Sequence, residues 1–191
     1  MPIAASPTKT YTVEEYLALE LASDSRSEYR NGQIIPMTGG TPAHNQIASA
    51  LNALLWFGLR GKPYSLFVAD QRLWIPSADL YTYPDAMVIA NPLELKSVRK
   101  DTVTNPLLIA EVLFESTQGY DRGDKFAAYR TIPTLQEYLL IEQSKPAVEQ
   151  FVKQSENQWL LTAYSGLEAK VKLASIEVEI ALSDLYRSLQ L

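Results

Sequence analysis

The 191-residue chain contains no cysteine, and His44 is its only histidine. The lack of cysteine excludes disulfides, thiolate nucleophiles, zinc–thiolate sites and iron–sulfur clusters. One imidazole is too few for a three-histidine zinc site within one chain, and a Ser-His-Asp triad would have to use this residue. Any chemistry must therefore rest mainly on carboxylates, lysine, tyrosine and hydroxyl groups.

Long apolar runs and an excess of positive charge are also missing. The apolar stretches fall well short of the roughly 20 residues that cross a bilayer, so we expect no contact with membranes. The N-terminal segment lacks the basic flank and apolar block of a secretory signal, and we expect a cytoplasmic location. The net charge of −5 is not typical of a protein that grips DNA over its whole surface. It still permits nucleic acid as a partner.

Two helices and a hairpin are predicted in the first third of the chain. Thr12 and Glu15 have the spacing of a capping box, which predicts a helix over residues 13–21. The Asn31-Gly32 step predicts a tight hairpin, because a type I′ turn needs positive φ at both central residues. Thr41, followed by proline, predicts the start of a second helix.

Strand-like runs fill most of the remaining chain. The predicted strands cover residues 65–75, 84–90, 106–114, 136–142, 147–153, 158–164 and 170–180. A short helix with Asp121 as its N-cap is predicted at residues 122–130, and a helical turn at 183–189. Since no repeat or linker-like run appears, we expect one domain over residues 1–191. Strands mixed with helices predict an α/β fold, in the broad sense that includes α+β.

Glu111 is the most informative residue, because it interrupts an otherwise apolar run that reads as a central strand. A charged carboxylate in a dry core costs several kcal/mol unless it is paired or binds a metal. Asp85 opens another strand-like run, so on neighbouring strands the two carboxylates would meet in a site suited to Mg²⁺ or Mn²⁺. Lys125, on the next helix, could orient a water or balance phosphate charge there. A core ion pair of Glu111 with Arg72 or Lys125 is the alternative.

The pattern formed by Pro84-Asp85, Glu111-Val112 and Lys125 resembles the PD-(D/E)xK nuclease superfamily, in its variant with a migrated lysine. Within that superfamily the chain is similar to the bacterial Uma-two family, which is classed with endonucleases of restriction-endonuclease-like fold. The matching blocks lie at residues 12–17, 28–32, 42–44, 83–85, 109–113, 116–117, 121, 125, 129 and 137–139.

This resemblance implies a mixed sheet flanked by helices, with an added C-terminal antiparallel β region. It also implies that Asp85 and Glu111 bind Mg²⁺ or Mn²⁺, together with the backbone carbonyl of Val112. Lys125 would take the place of the usual catalytic lysine, and Glu28 would be an accessory acid near the metal. These four side chains and one carbonyl are the predicted catalytic and metal-binding set.

Three further residues have open interpretations. Glu28 and Arg30 share one face of the predicted hairpin, so a solvent-facing pair is the plain alternative for Glu28. His44 lies on the buried stripe of the second helix and could contact a scissile phosphate or a bound water. Arg72 is the other candidate for contact with the substrate.

The predicted function is hydrolysis of DNA phosphodiester bonds by a magnesium-dependent endonuclease. The main alternative is a catalytically inactive nuclease-like scaffold that binds nucleic acid or a protein partner. A third is a hydrolase that acts on a smaller phosphate ester. We expect a homodimer, because cutting both strands needs two sites and the apolar β-rich tail could supply an interface.

Overall fold

The computed structural model describes residues 9–37, 39–97 and 99–189. The helices are α1 (Val13–Ala22), α2 (Pro42–Gly58), α3 (residues 118–129) and α4 (Leu182–Leu185). The strands are β1 (Ser27–Arg30), β2 (Gln33–Pro36), β3 (Tyr64–Val68), β4 (Arg72–Ile75), β5 (Leu80–Thr82), β6 (Ala86–Ala90), β7 (Thr102–Val103), β8 (Leu108–Val112), β9 (Glu137–Ile141), β10 (Ala147–Ser155), β11 (Gln158–Ser165), β12 (Lys170–Leu173) and β13 (Val178–Ala181). Within the described ranges, no helix is long and apolar enough to span a membrane.

A six-stranded mixed sheet forms the centre of the fold, in the order β11-β10-β9-β8-β6-β3. Strands β8 and β9 run parallel, and the other neighbours are antiparallel. All five residues of β8 are buried, as predicted for a central strand. Helices lie on both faces of this sheet, so the predicted α/β class is confirmed.

One face of the central sheet packs against α2. Ile47, Leu51 and Leu55 recur at helical spacing on α2 and are buried against the sheet. The β12–β13 hairpin and α4 complete this layer, with Val171 and Leu185 in the same core. The predicted C-terminal antiparallel region is present: β10 and β11 extend the main sheet, and β12 pairs with β13.

The opposite face of the central sheet packs against α3 and a second, five-stranded sheet, in the order β2-β1-β5-β4-β7. Ile109 belongs to this core, whereas its neighbours Leu108 and Ala110 belong to the other one, as the alternation along a strand requires. Glu111 therefore points toward the layer that holds α3. A cluster of Tyr16, Tyr29 and Tyr81 joins α1 to the second sheet.

The local signals in the first third of the chain are confirmed. Thr12 and Glu15 form a capping box at the start of α1. Asn31 and Gly32 have φ values of 47° and 82°, as a type I′ turn between β1 and β2 requires. The hydroxyl of Thr41 accepts a hydrogen bond from the His44 amide and caps α2.

The structure corrects two of the predicted strands. The run at 65–75 is two strands, β3 and β4, that belong to different sheets, because the chain turns where the Gln71 amide donates to the Val68 carbonyl. The run at 170–180 is a hairpin, in which Glu177 has a φ of 53°. Both predictions were wrong for the same reason: the apolar alternation continues across a turn that contains no proline, so the turn was not recognised.

The predicted helix at 122–130 starts earlier, and Asp121 is not its N-cap. Asp121 has helical backbone angles (φ −63°, ψ −39°) and lies inside α3. Residues Asp121–Lys125 form a π-helical turn between two α-helical segments. Such turns are frequent at functional sites, because the wider turn redirects side chains.

Candidate functional site

A cavity of about 370 Å³ opens between the first turn of α2, the hairpin β1–β2 and α3. Its charged lining consists of four carboxylates and three cationic or ionisable groups: Glu28, Asp85, Glu111, Asp121, Arg30, His44 and Lys125. The backbone of Val112 also faces it. The structure thus brings together every predicted site residue except Arg72.

Asp85 and Glu111 meet because β6 and β8 are antiparallel neighbours. Ala86 pairs with Ala110, so the next position beyond this pair places Asp85 opposite Glu111. Asp85 is fixed at this strand end, since the Val112 amide donates to its Oδ2 at 2.8 Å. The two carboxylates therefore share one end of the sheet.

Lys125 reaches the carboxylates from the π-helical turn of α3. Its Nζ lies 2.9 Å from Glu111 Oε1, 3.5 Å from Asp121 Oδ1 and 3.7 Å from Glu28 Oε1. Burial alone would lower the pKa of this buried ammonium, but the carboxylates around it, led by Glu111, raise the pKa well above the ordinary lysine value. Lys125 is therefore a fixed cation.

Glu111 remains in an environment with too much negative charge. Burial raises the pKa of Glu111 above its ordinary value, and the charges of Asp85 and Asp121 add to this, whereas Lys125 opposes it. The Tyr129 hydroxyl donates to Glu111 Oε1 at 2.6 Å. A further cation at this point would relieve the mutual repulsion of the carboxylates.

Glu28 faces the cavity, which rules out the solvent-facing pair with Arg30. Its side chain is only 12% exposed and lies near Lys125. The hydroxyl of Thr82, on the neighbouring strand β5, donates to its Oε1. Strand alternation also turns Arg30 toward the cavity, where it lies beside Tyr120.

His44 is held against Asp85 by the start of α2. Its Nε2 lies 3.2 Å from Asp85 Oδ2. The hydrogen bond with Asp85 raises the pKa of the imidazole, against the lowering effect of burial. The helix start is itself anchored, because the Thr41 hydroxyl donates to Gln143 at 2.6 Å and the Gln143 amide donates to the Leu113 carbonyl.

Sequence reasoning missed three residues of this cavity. Asp121 was read as a helix cap, although its spacing of four residues from Lys125 was a usable signal for an ion pair on one helix face. Its carboxylate is held by the Thr117 hydroxyl at 2.9 Å. Arg30 lies in the family-matching block 28–32 and shares a hairpin face with Glu28, which was a usable signal, whereas Tyr120 carried none.

The donor set fits a hard divalent cation that keeps part of its water shell. Asp85 contacts the Val112 amide and His44 through Oδ2. Glu111 contacts Tyr129 and Lys125 through Oε1. In the ranges that the structure covers, the other oxygen of each carboxylate has no hydrogen-bond partner. No group of three His, Asp or Glu side chains in those ranges forms a ready metal cage. Two carboxylate oxygens with a carbonyl and waters are the ligands that Mg²⁺ accepts.

The chain matches a family model over most of its length. Residues 13–183 match the model of the Uma2 family, described as "Putative restriction endonuclease". The chain belongs to the Uma2 family. Its curated relatives include two uncharacterized proteins of Synechocystis sp. (strain ATCC 27184 / PCC 6803 / Kazusa). The protein sll1609 is 42% identical, over 92% of this chain and 99% of the relative, and slr1290 is 34% identical, over 98% of each.

A solved structure shares the fold of this Uma2 protein. It is a crystal structure from Anabaena variabilis ATCC 29413, described as "a putative nuclease belonging to DUF820". The TM-score is 0.73, with 92% of this chain and 97% of the other covered, at 18% sequence identity. The predicted fold is thus confirmed as that of a protein described as a nuclease.

Arg72 lies outside the cavity of this Uma2 protein, which corrects both interpretations given for it. Its guanidinium is buried, 3.3 Å from Glu20 Oε2, and its Nε donates to the Tyr83 hydroxyl at 2.7 Å. Tyr83 in turn donates to Glu20 at 2.6 Å. Arg72 starts β4 in the second sheet, so it pairs with α1 and not with Glu111 or a substrate.

We expect Arg72→Met to destabilise the protein by about 3–5 kcal/mol, because it leaves Glu20 buried without its cation. Urea denaturation measures this loss. The matched control is Arg187→Met, whose arginine is 79% exposed and paired only with Asp184; it should change stability by less than about 1 kcal/mol. Equal effects of the two substitutions would contradict the structural role of Arg72.

Proposed function

We propose that this Uma2 protein is a divalent-metal-dependent endonuclease that hydrolyses phosphodiester bonds in DNA. The observation that carries the proposal is the convergence of Asp85, Glu111 and Lys125 in one cavity. Each comes from a different element, so their meeting is a property of the fold and not of local sequence. Membership of the Uma2 family, which is described as "Putative restriction endonuclease", supports the same assignment.

Asp85, Glu111 and the carbonyl of Val112 would hold Mg²⁺ or Mn²⁺, with Glu28 as an accessory acid. A bound divalent cation would lower the pKa of a water and neutralise charge that builds on the phosphate. The protein prepares the site in two ways. It fixes Asp85 through the Val112 amide, and it keeps Glu111 in place through Tyr129.

Lys125 acts as a cation and not as a general base, because its carboxylate neighbours keep it protonated. Its ammonium would donate a hydrogen bond to the attacking water or to a phosphate oxygen, and its charge would offset that of the phosphate. Asp121 and Glu28 hold the ammonium at the cavity edge. In this arrangement the lysine is oriented before substrate arrives, so little reorganisation is needed.

His44 contacts Asp85 from the first turn of α2. Its contact with Asp85 raises its pKa, so the imidazole carries positive charge over more of the neutral pH range. We assign it to orient Asp85 and to contact a phosphate or bound water. The side chain enters the cavity at the first turn of α2, where a negatively charged group is favoured by the helix dipole.

Cleavage of DNA in the presence of Mg²⁺ or Mn²⁺ tests the proposal directly. Supercoiled plasmid, linear duplex and a nucleotide monoester are incubated with the protein over a titration of each metal, with EDTA as the control. We expect metal-dependent nicking or linearisation of DNA, no reaction in EDTA and an inert monoester. Binding of DNA without cleavage would favour the inactive scaffold. Cleavage of the monoester alone would favour a hydrolase that acts on a smaller phosphate ester.

We also propose that two copies of the chain associate. Strand β11 lies at an edge of the central sheet and carries no charged residue over Gln158–Ser165. Leu160 and Leu161 on it are each more than half exposed. An uncharged edge strand with exposed leucines favours pairing with another strand, and two copies would supply the two sites that a double-strand cut needs. Light scattering after size exclusion measures the mass.

A further inference from the structure

Arg30 is a cation in the cavity that is not paired with a carboxylate of the described residues. Lys125 has three carboxylates within 4.0 Å, and His44 contacts Asp85. Over the ranges that the structure describes, the Arg30 guanidinium has no carboxylate within the same distance. A cation that lines a cavity without an internal partner is available to an anionic ligand.

The position of Arg30 is nevertheless well defined. Its guanidinium carbon lies 4.6 Å from the centre of the Tyr120 ring, in a cation–π contact. Its backbone is held between β2 and β5, where Arg30 pairs with Gln33 and Leu80. A guanidinium has five N–H donors, so the contact with Tyr120 holds the group in place and leaves donors for a ligand.

Tyr120 contributes a second unused donor beside Arg30. Its hydroxyl oxygen is buried and has no hydrogen-bond partner among the described residues. Burial, and next the charge of Glu28, raise the pKa of this phenol, whereas Lys125 and Arg30 lower it; because the net shift is upward, the phenol keeps its proton. A buried hydroxyl without a partner is unfavourable, and a rotation of the Tyr120 side chain toward the cavity that it lines would let an anionic oxygen satisfy it.

We infer that Arg30 and Tyr120 form a phosphate-binding subsite beside the carboxylate centre. A guanidinium with an adjacent hydroxyl donor in the same cavity lining matches the oxygens of a phosphodiester. This inference rests on the proposed function in naming DNA as the source of the phosphate.

The subsite serves a phosphate next to the one that is cleaved. Arg30 lies two residues along β1 from Glu28, which corresponds to about 7 Å. Glu28 and Lys125 belong to the carboxylate centre, which also contains Asp85 and Glu111. Arg30 therefore lies beside this centre and not within it. Its role is to position the DNA backbone, and we expect its loss to affect binding more than the chemical step.

The test compares Arg30→Gln and Tyr120→Phe with the matched control Arg60→Gln. Arg60 also lies beside an aromatic ring, Phe57, but it is exposed and follows the C-terminal end of α2, whereas His44 lies in the first turn of that helix. Anisotropy of a short fluorescein-labelled duplex is measured in Ca²⁺ and in EDTA. We expect Arg30→Gln to weaken binding about tenfold or more, Tyr120→Phe about threefold, and Arg60→Gln less than twofold. Arg30→Gln should also reduce the salt slope by about one.

Duplexes that carry one neutral methylphosphonate identify the phosphate. If the subsite exists, one position weakens binding by the wild type but not by Arg30→Gln, because the contact is already lost. A uniform effect at all positions, binding by Arg30→Gln equal to that of Arg60→Gln, or no binding of DNA by the wild type would each overturn the inference. Circular dichroism and thermal melting show that each variant is folded.

The same variants separate this inference from the proposed function. If the wild type never cleaves DNA while Arg30→Gln still weakens binding at one phosphate, the subsite stands and the nuclease assignment fails. If the wild type cleaves in Mg²⁺ while Arg30→Gln binds and cleaves normally, the nuclease assignment stands and the subsite fails.

Discussion

Asp85→Asn is expected to reduce metal-dependent DNA cleavage by a factor on the order of 10²–10³ or more, because the site loses a charged metal ligand. The asparagine oxygen can still accept the hydrogen bond from the Val112 amide. The variant also removes a negative charge that raises the pKa of Glu111. Stability should therefore stay within about 1 kcal/mol of the wild type, or rise.

Two measurements are needed for Asp85→Asn, since activity alone does not show whether this carboxylate is a metal ligand or a structural acid. Plasmid cleavage in Mn²⁺ gives the rate, and binding of Mn²⁺ followed by electron paramagnetic resonance gives the metal affinity. Asp70→Asn is the matched control, because Asp70 is 89% exposed and lies away from the cavity lining. A large loss of stability with unchanged Mn²⁺ binding would show that Asp85 is a structural acid.

Lys125→Met is expected to lower the free energy of unfolding by about 3–5 kcal/mol, because it leaves three carboxylates together without their cation. Methionine retains most of the apolar stem, so the loss reports the charge and not a cavity. Urea denaturation in EDTA measures the effect. Cleavage should also fall, since the ammonium that offsets phosphate charge is gone.

Two comparisons isolate the charge effect at Lys125. Lys170→Met removes a lysine that is 62% exposed and pairs with Glu179 at the surface, so it should cost less than about 1 kcal/mol. Adding Glu28→Gln to Lys125→Met should recover part of the lost stability, because one of the repelling carboxylates is neutralised. If both lysine substitutions have equal effects, the carboxylates do not depend on Lys125.

Much of the fold could be predicted because it rests on local signals. The capping box at Thr12, the Asn31-Gly32 turn and the proline-led start of α2 depend on backbone preferences of a few adjacent residues. Strand β8 was predictable because burial on both faces demands an apolar run. The errors at 65–75 and 170–180 occurred where a turn lacked such a signal.

The carboxylate centre was partly predictable for a different reason. An acid in the middle of an apolar strand is costly, so Glu111 by itself indicated a compensating partner. Asp85 was chosen because it opens another strand-like run and Lys125 because it lies on the next helix, and the family resemblance then favoured both. Arg72 shows the limit of this reasoning, because its partner was Glu20 on α1, about 50 residues away in sequence and in another layer.

The sequence by itself determined the elements of this protein, the order in which they follow and the burial of one acid, since these depend on interactions between near neighbours. Only the tertiary structure decided which charges share the cavity. Asp121 lies in the π-helical turn beside Lys125, and Arg72 pairs with Glu20, whereas Arg30 has no carboxylate partner among the described residues. The physical reason is that electrostatic partnership depends on distances of a few ångströms between elements, and chain spacing does not fix those distances.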